Sequence, residues 1–498
     1  MHASVLVVAN DPKDMPLHFE GVELVAARKY LTDSRYADMR GAKVFNLCRS
    51  YRYQSTGYYV SLLAAARGQK PFPNILTIRD ITSQMLVRGV SEELEDLIQK
   101  SLRPIQSREF VLSIYFGHNL AKRHDALSSH LFRLFQAPFL RALFLYSEKN
   151  KKWHLQNISP VAAGEIPEEH RPFVVNVAQE YFRKRQRNAR RRIPLRYDLA
   201  ILHNPSEKEP PSDRKALQKF VRAAESLGLA AELIEKDDIG RLAEFDGLFI
   251  RETTSVPHHT YRFARRAVAE GLVVIDDPES ILKCTNKVFL AELLERHRVR
   301  TPKTLIVHRD NFDRIPETLG FPCILKRPDS SFSQGVVKVE NEDELEIHAG
   351  KMLERSDLVI AQEFLSTDYD WRIGIIDREP IYVCKYYMAE KHWQIIKRDS
   401  MGLRTADGPS ETYSVEDAPK GVLRTALRAA NLIGEGFYGV DVKERDGKFY
   451  VIEVNDNPSI DSGVEDAVMK EELYRKIMMV FLRRIERLKS YDDGSRKA

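Results

Sequence analysis

Apolar positions along this chain switch repeatedly between short unbroken or alternating runs and runs spaced three and four residues apart. The first pattern predicts strands and the second predicts helices. Their alternation from end to end predicts an α/β protein. In residues 1–180 the predicted strands are Ser4–Ala9, Lys43–Arg49, Ile75–Ile81 and Val111–Gly117. Leu140–Tyr146 and Trp153–Ile158 are predicted to form a hairpin, with helices at Tyr58–Arg67, Glu92–Leu102 and Ala121–Phe135. An amphipathic helix then runs from Glu168 to about Arg192. Residues 197–283 repeat a strand–helix pattern, with strands Asp198–Leu202, Glu232–Glu235, Gly247–Arg251 and Val273–Asp276. That order predicts a small doubly wound unit. Beyond it come helix Asn286–His297, a strand-rich region, and a closing helix from about Glu465 to Leu488.

The strongest chemical pattern is a hairpin near the C-terminus. Gly439–Lys443 and Phe449–Pro458 flank Arg445-Asp446-Gly447, a predicted three-residue loop with Gly447 left-handed. That loop sets Glu444 opposite Lys448 and Asp441 opposite Val451. Glu453 and Asn455 are two apart and share a face. Asp441 joins them there, while Val440, Val442, Tyr450, Ile452 and Val454 form the apolar face. Such oxygen donors suit a hard cation that also holds phosphate. The same pattern also describes a half-buried hairpin with a polar outer face.

Upstream, Pro322–Lys326 reads as a buried strand ending in a lysine, followed by a small-residue loop with Ser331, Ser333 and Gly335. A loop of this kind can fold backbone N–H groups over phosphate oxygens, with Lys326 as a point charge. A hairpin with a polar tip has the same pattern, and no Gly-Lys-Ser/Thr step opens a helix here. Leu358–Leu365 is an apolar strand running into Gln362-Glu363-Phe364-Leu365, an edge able to border a flat heterocycle. Asp370 and Arg372 share one face of the next strand, which by itself is a surface ion pair. Lys287 stands near a helix start, where a solvated side chain is the default.

In this order the residues resemble the ATP-grasp superfamily, most closely RimK-like ligases and glutathione-synthetase-like enzymes. The resemblance spans roughly residues 197–485. It implies domains at 1–180 (an N-terminal α/β domain, itself similar to the one accompanying some RimK-like proteins), 181–196 (a basic linker) and 197–283 (a pre-ATP-grasp domain). ATP-grasp subdomains follow at 284–360 and 361–488, then a polar tail at 489–498. The implied activity is an ADP-forming carboxylate–amine ligation through an acyl phosphate, on an amino acid such as glutamate or on a small peptide. Lys287 and Lys326 would hold phosphates of ATP, and Gln362 to Leu365 would border adenine. Asp370 would lie near the ribose or the metal, and Arg372 would stabilise the transferring phosphoryl group. Two Mg²⁺ ions, replaceable by Mn²⁺, would sit on Asp441, Glu453 and Asn455. The family's Arg-x-Asn is missing from 385–398; Lys391, Lys397 and Arg398 are candidates to replace it, with Lys397 as the expected catalytic residue. Arg251, Lys397, Arg398 and Arg404 would hold an anionic acid or amino acid, and each reads equally as a solvated surface charge.

Composition narrows this picture. Charged residues make up 30% and hydrophobic ones 43%, ordinary for a globular protein. No apolar run is long enough for a bilayer, and Met1–Asn10 reads as a first strand, so a cytoplasmic protein is expected. Cys48, Cys284, Cys323 and Cys384 are too scattered for a zinc or disulfide framework. Eight basic residues and no acid lie between Arg183 and Arg196; removing them turns the net charge from +5 to −3. The positive charge is therefore local, and nucleic acid is not an expected partner. A homo-oligomer is left open. Two rival readings remain: a nucleotide-binding regulatory or scaffold protein with a non-ligating site, and a ligase that docks on ribosomes through the arginine tract. The Arg49–Tyr59 stretch reads as a capped helix start or an anion site.

Overall fold

The computed structural model describes residues 5–19, 21–39, 41–186, 195–329, 335–390, 392–398 and 404–494. The chain divides into two compact units: residues 1–194 with 237–244, and residues 195–236 with 245–498.

The first unit holds a parallel four-stranded sheet and a three-stranded antiparallel one. The parallel sheet runs in the order Glu23–Ala26, Val5–Ala9, Lys43–Asn46, Lys70–Phe72. The antiparallel sheet is Glu109–Tyr115, Phe139–Ser147, Lys152–Pro160, which includes the expected hairpin. Between them lies a buried core in which Phe45 meets Phe72 and Phe182 edge-to-face. Ile75–Ile81, expected as a strand, is instead a helix, Ile75–Thr82. Its branched residues suit a strand, but the Asn74 side chain accepts from Thr77 N at 2.8 Å and caps a helix. Ile78 and Ile81, three apart, then face the core. The expected helix Glu92–Leu102 is two helices, Gln84–Glu93 and Glu95–Leu102, joined at Leu94. The Ser55 side chain caps helix Thr56–Ala66, so the Arg49–Tyr59 stretch is a capped helix start. Most of the arginine tract lies outside the described residues.

In the second unit, residues 195–283 (237–244 excepted) form a fully parallel sheet in the order Val273–Ile275, Gly247–Ile250, Tyr197–Leu202, Leu229–Ile234. This is the doubly wound unit expected. Two antiparallel sheets follow. One has the order Thr304–Val307, Val359–Glu363, Cys323–Lys326, Val336–Val339; the other Ser410–Tyr413, Glu379–Tyr387, Tyr369–Ile376, Phe437–Arg445, Lys448–Asp456. The final helix, Glu471–Gly494, starts later than expected because buried Glu465 and Asp466 accept from backbone amides in a preceding turn. No helix among the described residues is long and apolar enough to cross a membrane. All four cysteines are free and buried.

The C-terminal hairpin departs from its expected register. Arg445 pairs with Lys448, so the loop is the two residues Asp446-Gly447, both with positive φ (51° and 67°). That is the twist a two-residue hairpin loop requires. A bulge between Asp441 and Val442 then places Asp441 opposite Glu453 instead of Val451. Val451 and Val454 enter the core, while Tyr450 and Ile452 are only partly buried. Gly447→Val is expected to cost about 1–2 kcal/mol from the left-handed backbone, seen as a lower urea midpoint. An unchanged midpoint would count against this loop geometry.

Candidate active site

The site is assembled from helix Lys287–Arg296 and five strands, Cys323–Lys326, Val359–Glu363, Tyr369–Ile376, Phe437–Arg445 and Lys448–Asp456. The Asn286 side chain caps that helix, accepting from Val288 N and Phe289 N at 3.1 and 3.0 Å. Lys287 is thereby fixed in the first turn, with its backbone N–H on Pro328 O at 2.9 Å. It is not solvated, as expected for such a position, but only 7% exposed, with Nζ 2.6 Å from Glu453 Oε1. Lys326 ends the buried strand Cys323–Lys326 and donates to Gln362 Oε1 at 2.7 Å. Gln362 in turn donates to Thr304 Oγ1 at 3.0 Å, so its side chain orients a lysine. Lys287, Lys326, Ile360, Gln362, Ile452 and Glu453 line one cleft.

Two strands with the pattern acid-x-base run antiparallel beside this cleft. Arg372 lies opposite Asp441 and donates to both of its oxygens, at 2.7 and 2.8 Å. Two positions along, Lys443 Nζ lies 2.5 Å from Asp370 Oδ1. The surface ion pair suggested by Asp370-x-Arg372 is therefore replaced by two cross-strand pairs. Asn455 Nδ2 reaches Asp441 Oδ2 at 3.1 Å, completing a contiguous Asp441, Glu453, Asn455 group.

Burial works against the charge of Lys326, Asp370, Arg372 and Glu453, and their partners decide the outcome. Glu453 would be raised by burial, but Lys287, Lys326 and Arg372 hold it below the ordinary range. For Arg372, Asp441 more than reverses the burial penalty and raises the guanidinium well above its usual value. Asp370 is raised by burial despite Lys443. Burial takes Lys326 down to about 8, only partly opposed by Glu453. The site thus holds the ionised Glu453 carboxylate and further hard-oxygen donors beside cations, a set that fits a divalent cation bound with phosphate.

Other expected residues divide. Leu365 is buried, and Phe364 lies under Lys338 at 4.5 Å and edge-on to Trp393 at 6.0 Å. The Glu363 backbone N–H is taken by Lys303 O at 2.8 Å. Gly335 has φ +70°, and a Cβ there would clash with Arg327. Ser331, Ser333 and Lys391 lie outside the described residues. Lys397, Arg398 and Arg404 lie on a two-stranded ribbon, Ile396–Arg398 with Arg404–Asp407, whose backbone alone is described at these three positions. Arg251, expected to hold an anionic acid, is buried with its guanidinium on protein groups. It is 0% exposed, and its guanidinium donates to Ser212 Oγ, Asn457 Oδ1 at 2.6 Å, Pro458 O at 2.8 Å and Pro211 O. It clamps the end of the hairpin strand.

Three groups escaped the sequence reading. Lys443 was legible, because Asp370-x-Arg372 and Asp441-x-Lys443 are complementary when antiparallel. Asp276 was not: its carboxylate accepts from Phe437 N at 2.5 Å and Asn457 N at 2.7 Å, tying together both strands of the hairpin. Glu252, His258 and His259 form the third group.

Comparison with known proteins gives the family. A model of the RimK-like ATPgrasp N-terminal domain matches residues 27–177, and one of the RimK-like ATP-grasp domain matches residues 284–478. The α-aminoadipate–LysW ligase LysX of Saccharolobus solfataricus is 30% identical over 196 residues, 38% of this chain and 67% of that protein. This chain belongs to the RimK-like ATP-grasp family. The coenzyme γ-F420-2:α-L-glutamate ligase of Methanococcus maripaludis is 24% identical over 208 residues, 40% of this RimK-like chain and 68% of that one. A crystal structure of D-alanine–D-alanine ligase from Bacillus anthracis aligns with 59% of this chain and 99% of its own, at 16% identity and TM-score 0.46.

A phosphate bound at this site would favour the ammonium form of Lys326. That form is present below about pH 8 and lost above it. Affinity for ATP or tripolyphosphate, measured by calorimetry, is expected to fall as pH rises past that value, by at most about tenfold per unit. Lys326→Arg should flatten the profile, and a flat wild-type profile would exclude this role.

Proposed function

We propose that this RimK-like ATP-grasp protein is an ATP- and Mg²⁺-dependent ligase joining a carboxylate to an amine, with an amino acid or small peptide as substrate. The observation that carries this reading is the contiguous Asp441, Glu453, Asn455 group set among Lys287, Lys326 and Arg372, with Glu453 held ionised by those cations. The ligase names of the similar proteins support the reaction class.

Phosphoryl transfer needs charge neutralisation and alignment more than covalent help from the protein. A carboxylate oxygen of the substrate would attack the γ-phosphorus of ATP, and the bond to ADP would break. The amine nitrogen would then attack the acyl carbon, phosphate would leave with the C–O bonding pair, and the amine would give up a proton. Lys287 and Lys326 would bind phosphate oxygens, and Arg372 would stabilise the charge developing on the phosphoryl group or at the tetrahedral carbon. Glu453, Asp441 and Asn455 would hold Mg²⁺, which supplies further neutralisation of the phosphates. Gln362 would keep Lys326 in place, and Leu365 and Phe364 would border the base. On the acceptor side, Lys397 and Arg398 would stand in for the family's Arg-x-Asn.

Glu453→Gln is expected to remove Mg²⁺-dependent ADP release while leaving circular dichroism unchanged, and Arg372→Ala should lower kcat roughly 10²–10³-fold. Incubation with Mg²⁺-ATP and pooled amino acids should yield ADP, with a new amide seen by mass spectrometry. AMP with pyrophosphate would indicate adenylation instead, and ATP binding without turnover of any acid would favour a scaffold.

A further inference from the structure

The parallel sheet of the second unit has its own chemistry, separate from the nucleotide cleft. Its central strand, Tyr197–Leu202, continues to Leu229–Ile234 on one side and, later, to Gly247–Ile250 on the other. The carboxyl ends of Tyr197–Leu202 and Gly247–Ile250 therefore flank a topological switch point, where open α/β sheets take ligands. Asn204 and Glu252 leave those two strand ends, with Asn204 Nδ2 3.4 Å from Glu252 Oε1. The Glu252 side chain is 2% exposed, and its Oε2 lies 2.9 Å from His259 Nε2. His258 and His259 open helix His259–Ala269, their ring centroids 3.9 Å apart. One ligand atom from each of Glu252, His258 and His259 falls within 4.8 Å of the other two.

A Glu252–His259 ion pair alone would account for two of these side chains. It would not account for a second imidazole turned onto the same spot. An ammonium site would be built from acceptors only, whereas two imidazoles and a carboxylate make a donor set for a borderline metal ion. Ligands about 2.0–2.2 Å from zinc stand about 3–4 Å apart, so the observed separations need little closure. The His258 Nδ1 contact to Thr260 Oγ1, at 3.2 Å, supplies the outer hydrogen bond that orients a ligating imidazole. We propose that Glu252, His258 and His259 form a three-ligand site for a divalent transition-metal ion of the zinc class, distinct from the Mg²⁺ site. Asn457 Nδ2 donates to the Glu252 backbone O at 2.7 Å, so this site is tied to the strand end that follows Glu453 and Asn455.

The test is titration of metal-stripped, tag-free, full-length protein with Co²⁺ in excess Mg²⁺, read by visible d–d absorption. One equivalent should bind with an intense low-coordinate spectrum. His259→Ala should abolish that spectrum, and His258→Ala and Glu252→Gln should each weaken binding at least about tenfold. Glu453→Gln should leave it unchanged. If Glu252→Gln fails to fold, the partly exposed His258 carries the test. Absence of saturable binding, binding that survives both histidine substitutions, or loss of binding in Glu453→Gln would each overturn the proposal.

Discussion

A buried charge must find its opposite, and the arrangement of the cleft follows from that requirement. Taking an ion out of water costs several kcal/mol unless it is paired and hydrogen-bonded. Here three cations and three carboxylates leave bulk water together, as Lys287 with Glu453, Arg372 with Asp441, and Lys443 with Asp370. Removing one partner from a buried pair typically costs about 3–5 kcal/mol. The pairs therefore constrain one another: moving any strand by one residue would leave charges unpaired. The same balance keeps Glu453 ionised, the state in which it can accept a cation, while burial brings Lys326 down to about 8.

That register needs an anchor, and the parallel sheet provides it. Asp276, at the end of strand Val273–Ile275, accepts from the amides of Phe437 and Asn457. Arg251, just beyond Gly247–Ile250, closes over Asn457 and Pro458. The base of the hairpin is thus pinned by two ends of one sheet, while its far end turns on two residues. A ligand site on such a pinned hairpin is pre-organised, which is what charge stabilisation in phosphoryl transfer demands.

Much of this is legible in the sequence. The strand–helix alternation of 197–283 and the apolar strands Cys323–Lys326 and Val359–Glu363 follow directly from period and burial. The failures have specific causes. Ile75–Ile81 carries branched residues that suit a strand, yet a single Asn74 cap and core contacts at Ile78 and Ile81 make it a helix. The hairpin loop was one residue too long in the sequence reading, because Arg445 pairs with Lys448 and a bulge takes up the difference. Arg251 reads in the sequence as a cation for an anionic acid or as a solvated surface charge; only packing shows that its guanidinium is bonded by four protein groups.

Residue type and spacing determined which atoms could enter the chemistry: hard oxygens on Asp441, Glu453 and Asn455, and cations at Lys287, Lys326 and Arg372. Those are local facts, carried by alternation along a strand and by a helix cap. Tertiary structure decided which cation meets which carboxylate, that Gln362 serves Lys326, and that Arg251 serves the backbone. Those depend on cross-strand register and on burial, which is shared between segments far apart in the chain and so is written in no single one of them.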